Sequence, residues 1–259
     1  MYTALLTNLA VSIISSGPAS GQLPDYGPRL GEEQFVKNAV AIAIDGPVAS
    51  GKTVVGRLLA RRLGYKVLDT GLMYRAITWQ ALEDYVDLES SASVALLLQT
   101  HKLDVVFDRE GQAAIRIDGQ DVTKHMRLQI VEQMVSRVAR IREVRDAMVI
   151  LQRAIGSQGQ VVMVGRDIGT IVLPDAKIKV YLTAAVEERA RRRHTEMENL
   201  GIRIKYKQVL KELEERDSLD FKREIAPLRP AEDAIEVVTD GLKVDDVVER
   251  VVSLLGKRQ

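Results

Sequence analysis

The chain has 259 residues, 46% apolar and 28% charged, a mix that fits a soluble globular protein with one large domain or two small ones. Its 37 basic and 36 acidic residues leave a net charge of +1, which argues against a protein whose main task is coating nucleic acid or an anionic membrane. It has no cysteine, so disulfides, thiolate metal sites and cysteine nucleophiles are excluded, and a reducing cytoplasm is the expected setting. No apolar run is long enough to span a bilayer. The best candidate, Ala4 to Ile14, is interrupted by Thr7, Asn8 and Ser12. The first basic residue is Arg29, so the positive start of a signal peptide is missing. Residues 1–37, rich in glycine and proline from Gly17 to Pro28, read as an extension that is disordered in part or docks its apolar stretch on the body.

The body opens on a short apolar run, Ala39 to Asp45. Gly46 ends it, and a helical pattern follows from Lys52 to Leu63. A buried strand, a glycine turn and a helix are the start of a parallel α/β sheet. A second strand is expected over Tyr65–Leu68 and a helix over Gly71–Leu82. The alternating segments Leu103–Phe107 and Ala114–Ile117, with Asp118-Gly119 after them, predict a small antiparallel insert. Helices are expected around Arg127–Arg140 and Glu143–Gly156. Strands resume at Gln160–Val164 and Lys177–Leu182, followed by a very charged stretch from Glu187 to Arg216. A last strand, Ala234–Val238, and an amphipathic helix, Val244–Leu255, close the chain. The fold class is therefore α/β, a doubly wound parallel sheet of about five strands with an antiparallel insert between its second and third strands.

Gly46-Pro47-Val48-Ala49-Ser50-Gly51-Lys52-Thr53 fits the phosphate-loop pattern at every fixed position. Glycines let the backbone wrap closely enough for its N–H groups to face phosphate oxygens. The helix start after Gly51 adds a positive dipole end. Lys52 supplies a point charge to the β- and γ-phosphates, and Thr53 offers a hydroxyl to Mg²⁺. By itself the loop says only that the phosphates of a nucleoside triphosphate are gripped. An Asn-Lys-x-Asp guanine reader is missing, and the third parallel strand ends Val164-Gly-Arg166-Asp167 rather than Asp-Glu. An arginine there points to a second phosphate. Arg75 follows the C-terminal end of the second strand, the edge where open α/β sheets bind ligands. Arg189, Arg191, Arg192 and Arg193 cluster in one charged helix, where ion pairs with Glu187, Glu188 and Glu196 are an equal explanation. Arg216, Asp220 and Arg223 have helical spacing and are expected to share a face. Convergent arginines without a nucleophilic triad suit phosphoryl transfer. His101, His125 and His194 lack metal-ligand spacing, and Trp79 is expected to pack rather than stack on a base.

Ile44-Asp-Gly-Pro, Leu68-Asp-Thr-Gly-Leu-Met-Tyr-Arg75, Gly165-Arg-Asp-Ile-Gly-Thr170, Leu173-Pro-Asp-Ala176, Glu187-Glu-Arg-Ala-Arg-Arg-Arg193 and Arg216-Asp-x-x-Asp220-x-x-Arg223 occur in this order, ahead of Ala226-Pro-Leu-x-Pro-Ala-Glu-Asp233. Together they resemble the bacterial cytidylate kinases over about residues 39–256. The resemblance implies transfer of the γ-phosphoryl group of ATP, with Mg²⁺, to CMP or dCMP. It implies that Arg75, Arg166 and Arg223 hold the CMP phosphate, and that Tyr74, Arg216 and Asp220 line the sugar. Thr70, Ser136, Arg145 and Asp167 would surround the cytosine, Ser136 and Arg145 being matched by spacing. Arg192 would reach from a lid, residues 184–203, to the ATP phosphates. Residues 88–140 would be a monophosphate-binding insert within one kinase domain, 38–259. Lys52, Arg166, Asp167, Arg192 and Arg223 are the expected catalytic set, in a monomeric cytoplasmic enzyme with no nucleic-acid or membrane partner. Cytosine offers an amino donor at N4 and acceptors at N3 and O2, which an ionised Asp167 and the donors of Arg145 and Ser136 complement. The residues alone leave open another small-molecule kinase of this fold, acting on AMP or shikimate, or an inactive nucleotide-binding regulator.

Three positions depart from the family pattern. Val164 and Leu219 stand where an acidic residue and an arginine are usual, and Ala49 where glycine is common. An alanine at 49 is expected to require a negative φ.

Overall fold

A computed structural model describes residues 40–255. The extension expected over residues 1–37 lies outside the described residues. The strands of the larger sheet are β1 (Ala41–Asp45), β2 (Lys66–Asp69), β6 (Val161–Val164), β7 (Ile178–Thr183) and β8 (Ile235–Val238), in spatial order β2-β6-β1-β7-β8. The pairs β1–β7 and β7–β8 are parallel, with Ile42 opposite Ile178 and Val180 opposite Ile235. The inner strands read as near-continuous apolar runs because both faces are covered. Thus Val161–Val164 are all buried, whereas the edge strand β8 leaves Glu236 and Val238 exposed. The smaller sheet is antiparallel, in order β3 (Leu103–Phe107), β4 (Ala113–Ile117), β5 (Gln120–Asp121). The α/β class, the five parallel-type strands and the antiparallel insert are as the sequence predicts.

The chain divides into two compact units, one built mainly on Ala60–Met163 and the other on Ile42–Leu59 with Val164 onward. In the first unit, helix α2 (Thr70–Glu83) starts where the Asp69 side chain accepts the Gly71 N–H at 3.0 Å. That cap satisfies a donor the helix itself leaves open. Helices α3 (Ser91–Thr100), α4 (Gln129–Val138) and α5 (Arg142–Gly156) complete its helical layer. Val144, Met148, Leu151 and Ile155 of α5 are buried at helical spacing, and so are Val131, Val135 and Val138 of α4. Trp79 is buried and its ring lies 4.8 Å from that of His125, so it packs as expected. His101 bridges Asp118 at 2.7 Å and Asp84 at 2.9 Å, a structural role.

In the second unit, β1 leads through the phosphate loop into α1 (Lys52–Leu63). The charged stretch from Glu187 to Arg216 resolves into two helices, α6 (Val186–Asn199) and α7 (Tyr206–Phe221), and α8 (Val244–Leu255) closes the described chain. The two share a small apolar core of Ala190, Met197, Val209 and Leu213, with Val48 of the phosphate loop packed against it. Charge density hid this: a few apolar residues on each helix are enough to pair them while the other faces stay solvated. Helix α3, strand β5 and a turn of π-helix at Ile168–Val172 lie outside the sequence expectation. Each is short or lacks a clean period, which is where pattern reading has least to work on.

Candidate active site

The phosphate loop is shaped by close backbone approach. Gly46 has φ 147°, and a Cβ there would lie 2.0 Å from the Leu182 carbonyl oxygen, so only glycine fits. Lys52 is buried and its ammonium donates to the Pro47 carbonyl and, at 3.3 Å, to Ser50 Oγ. Ala49 corrects the expectation made for it: its φ is +59°, not negative. The wrap of the loop imposes the left-handed conformation, and the alanine methyl bears the strain. Ala49→Gly is therefore expected to stabilise the protein by about 0.5–1 kcal/mol and raise Tm by about 2 °C. An unchanged or lower melting temperature by circular dichroism would count against the strain.

The loop is braced from α6. Arg189 is buried, unlike the solvated arginine its charged surroundings suggest. Its guanidinium donates to the Val48 carbonyl at 3.1 Å, to the Ala184 carbonyl at 3.0 Å, and in a forked pair to Asp217 at 2.5 and 3.1 Å. A planar fork suits that bidentate geometry where a lysine would not. Arg191 and Arg193 do take the bland role, pairing with Glu188 and Glu196 on the helix surface. Arg192 donates to Glu188 at 3.0 Å and to the hydroxyl and carbonyl of Thr239 at 3.0 and 2.5 Å.

A second basic group lies beyond β6. Arg166 is ion-paired with Asp220, which sits in the last turns of α7. Burial pushes the Asp220 carboxyl up, but the charges of Arg166, Arg216 and Arg223 outweigh it and hold the group below the usual carboxylate range. Arg223 corrects the expectation of one shared helical face. Helix α7 ends at Phe221, and Arg223 folds back beyond it to cap the Ala226 carbonyl. The approaching proline, Pro227, and Ala226 at φ 52° do not continue a helix. Electrostatics still joins Arg223 to the group, although helical periodicity does not. Asp167 is buried and its carbonyl accepts the Ile171 and Val172 N–H groups that open the π turn.

In the first unit, Arg145 and Tyr74 are brought together, the guanidinium carbon 5.6 Å from the ring centre. This is cation–π distance. Arg145 also donates to the Ala139 carbonyl at 3.2 Å and is 3% exposed. Thr70 is buried at the start of α2, Ser136 is half-buried on α4, and the Nε of Arg75 is buried with no hydrogen-bond partner among the described residues.

Sequence reasoning passed over Asp45, although it quoted the residue within a motif. Asp45 is 4% exposed, and burial pushes its carboxyl up to about 7 despite backbone N–H bonds from Gly169 and Ile168. Asp167 nearby adds to the rise and Lys52 opposes it. The signal available was an ionisable residue ending an otherwise apolar buried strand. Val164 is buried and Leu219 is 58% exposed, and both are apolar, so neither departure replaces the usual charge with another polar group.

A phosphate loop between β1 and α1 of a mostly parallel sheet defines the chain as a P-loop protein. A family model described as cytidylate kinase matches residues 42–257. The cytidylate kinase of Carboxydothermus hydrogenoformans is 45% identical over 217 residues, 84% of this chain and 97% of that protein. The cytidylate kinase of Bacillus licheniformis is 43% identical over 223 residues, 86% of this chain and 99% of that protein. The chain belongs to the cytidylate kinase family. Among solved structures, a shikimate kinase from Acinetobacter baumannii in complex with shikimate aligns at TM-score 0.43 and 18% identity, covering 88% of this chain and 98% of that one. That likeness is too loose to bear on function.

Proposed function

We propose that this protein is a CMP kinase that moves the γ-phosphoryl group of ATP to CMP or dCMP, giving ADP and the diphosphate. The observation that carries this reading beyond family membership is the charge balance around Asp220. Three guanidinium groups, those of Arg166, Arg216 and Arg223, act on that one carboxylate. Two positive charges remain in excess, and a nucleoside monophosphate dianion matches them. The buried Nε of Arg75 lacks a hydrogen-bond partner among the described residues. In this reading Arg75, Arg166 and Arg223 bind the acceptor phosphate, and Tyr74, Arg216 and Asp220 the sugar. Asp167, Arg145, Ser136 and Thr70 read the base. Asp167 accepts from the cytosine amine, which uracil lacks, so UMP is the poorer substrate.

ATP is held by Gly46–Thr53 through backbone N–H groups, with Lys52 moving from the Pro47 carbonyl to the β- and γ-phosphates. Arg192 leaves Thr239 for the same triphosphate, so that Lys52 and the arginines together offset charge developing on the transferred group. The residues fit Mg²⁺ in one limited way. The described residues hold no acidic or histidine cluster able to chelate a metal, and β6 ends in Val164. Thr53, in the first turn of α1, would be the protein's ligand, with water and phosphate oxygens supplying the rest, as Mg²⁺ tolerates well. When bound, the ion neutralises charge between the β- and γ-phosphates. No helix among the described residues is long and apolar enough to cross a membrane. We take the enzyme to be a cytoplasmic monomer.

The test is a coupled ADP-release assay with MgATP and a panel of CMP, dCMP, UMP, AMP and shikimate. Turnover with CMP or dCMP well above the others is expected. Preference for AMP or shikimate would replace the reading with another kinase of this fold. No ADP with any acceptor, despite ATP binding, would make the protein an inactive nucleotide binder.

A further inference from the structure

Asp45 is a buried ionisable group beside the phosphate loop that the proposed chemistry does not use. It closes β1 and is bonded through the main chain to Gly46, the first residue of the loop. Its two carboxylate oxygens accept the N–H groups of Ile168 and Gly169, each at 2.7 Å. Those residues come directly after Arg166 and Asp167. One side chain thus ties the start of the donor loop to the turn that presents the acceptor arginine and the base-reading carboxylate.

The neighbouring groups leave it no other task. Lys52 and Asp167 act on it through their charges, while burial and then the Asp45 charge push the neutral Tyr181 hydroxyl of β7 up to about 12. The stem of Lys179 borders the same Cβ position of Gly169, and the Lys179 ammonium is spent on the Pro174 carbonyl and on Asp233 at 2.9 Å. A Cβ at position 169 would sit 3.3 Å from Asp45 Oδ2 and 3.1 Å from Lys179 Cδ. A side chain at 169 would crowd the carboxylate and the Lys179 stem by a few tenths of an ångström. Burying a carboxylate is unfavourable unless its oxygens are satisfied, and here two backbone donors satisfy them.

We propose that Asp45 is a positioning residue that sets the distance between the donor phosphate loop and the Arg166–Asp167 turn. It touches no reacting atom; it acts by holding Arg166 and Asp167 in register with Lys52. The inference rests on the function proposed above. Small misplacements of aligned groups cost large factors in rate.

The test is Asp45→Asn in the full chain. The amide keeps one acceptor and sets an NH₂ against the second backbone N–H. We expect kcat/KM for CMP to fall about a hundredfold, shared between a higher KM and a lower kcat. KM for ATP and the affinity for a fluorescent ATP analogue should stay within about twofold, since the loop keeps its own bonds. Gly169→Ala crowds the same carboxylate from the turn side and should give the same split, and it decides the matter if Asp45→Asn does not fold. Unaltered CMP kinetics would overturn the proposal. So would a parallel loss of ATP and CMP affinity with a lowered melting temperature, which would make Asp45 a purely structural residue. A wild-type protein without CMP turnover would instead refute the proposed function, so the two failures are distinguishable.

Discussion

Lys52→Met lowers kcat for CMP phosphorylation about a thousandfold, the scale at which a single preorganised charge on a transferring phosphoryl group acts. The side chain is buried and pinned between the Pro47 carbonyl and Ser50 Oγ. Its orientation is therefore set by the loop rather than by solvent. Methionine is close in length and apolar, so it removes the charge while keeping most of the packing. KM for CMP should move little, because the acceptor is held by other groups. The measurement is steady-state kinetics in the coupled assay, with circular dichroism to show an unchanged melt. A kcat within tenfold of wild type would mean that the loop's N–H groups and the arginines carry the donor charge without the lysine.

Asp167→Ala removes the preference for cytosine. The ratio of kcat/KM for CMP over UMP should fall about a hundredfold, which corresponds to losing one charge-assisted hydrogen bond of about 2–3 kcal/mol. Asp167 is buried, so its charge is little screened and the effect is expected near the upper end of that range. Activity with UMP should hardly change or should rise, since uracil presents an acceptor where cytosine has its amine. The readout is competition between the two monophosphates at limiting ATP. An unaltered ratio would move base reading to Arg145 and Ser136. Because Asp167 also repels the charge on Asp45, the variant should leave Asp45 easier to ionise, with burial still holding its carboxyl above the usual range.

Much of this protein is legible in its sequence. Helices α1 and α8 and strand β3 run from Lys52 to Leu63, Val244 to Leu255 and Leu103 to Phe107, the bounds their patterns predict. Strong local periods and glycine punctuation carry such elements. The phosphate loop is equally local, since its chemistry is written in eight consecutive residues. The family assignment also follows from motifs in order along the chain, and the matched family and relatives bear it out.

Tertiary structure decided what depends on residues far apart in the chain. The arginines of the Glu187–Arg193 run look alike in sequence. Yet Arg189 is buried on Asp217 and Val48, Arg192 is bound to Thr239, and Arg191 and Arg193 form surface pairs. Burial, which separates a brace from a solvated charge, is set by the small core that α6 and α7 share. The sign of φ at Ala49 came from the close wrap of the loop, not from the residue's own preference. Arg223 lies beyond the end of α7 and donates to the Ala226 carbonyl, so helical spacing does not place it. Asp45 meets Ile168 and Gly169 across more than a hundred residues of chain, because β1 and β6 are neighbours in the sheet. The sequence by itself determined which residues could grip phosphate and in which fold. Which charges are buried, paired and aimed was decided only when the strands came together, because burial and Coulomb energy depend on distances that strand order creates.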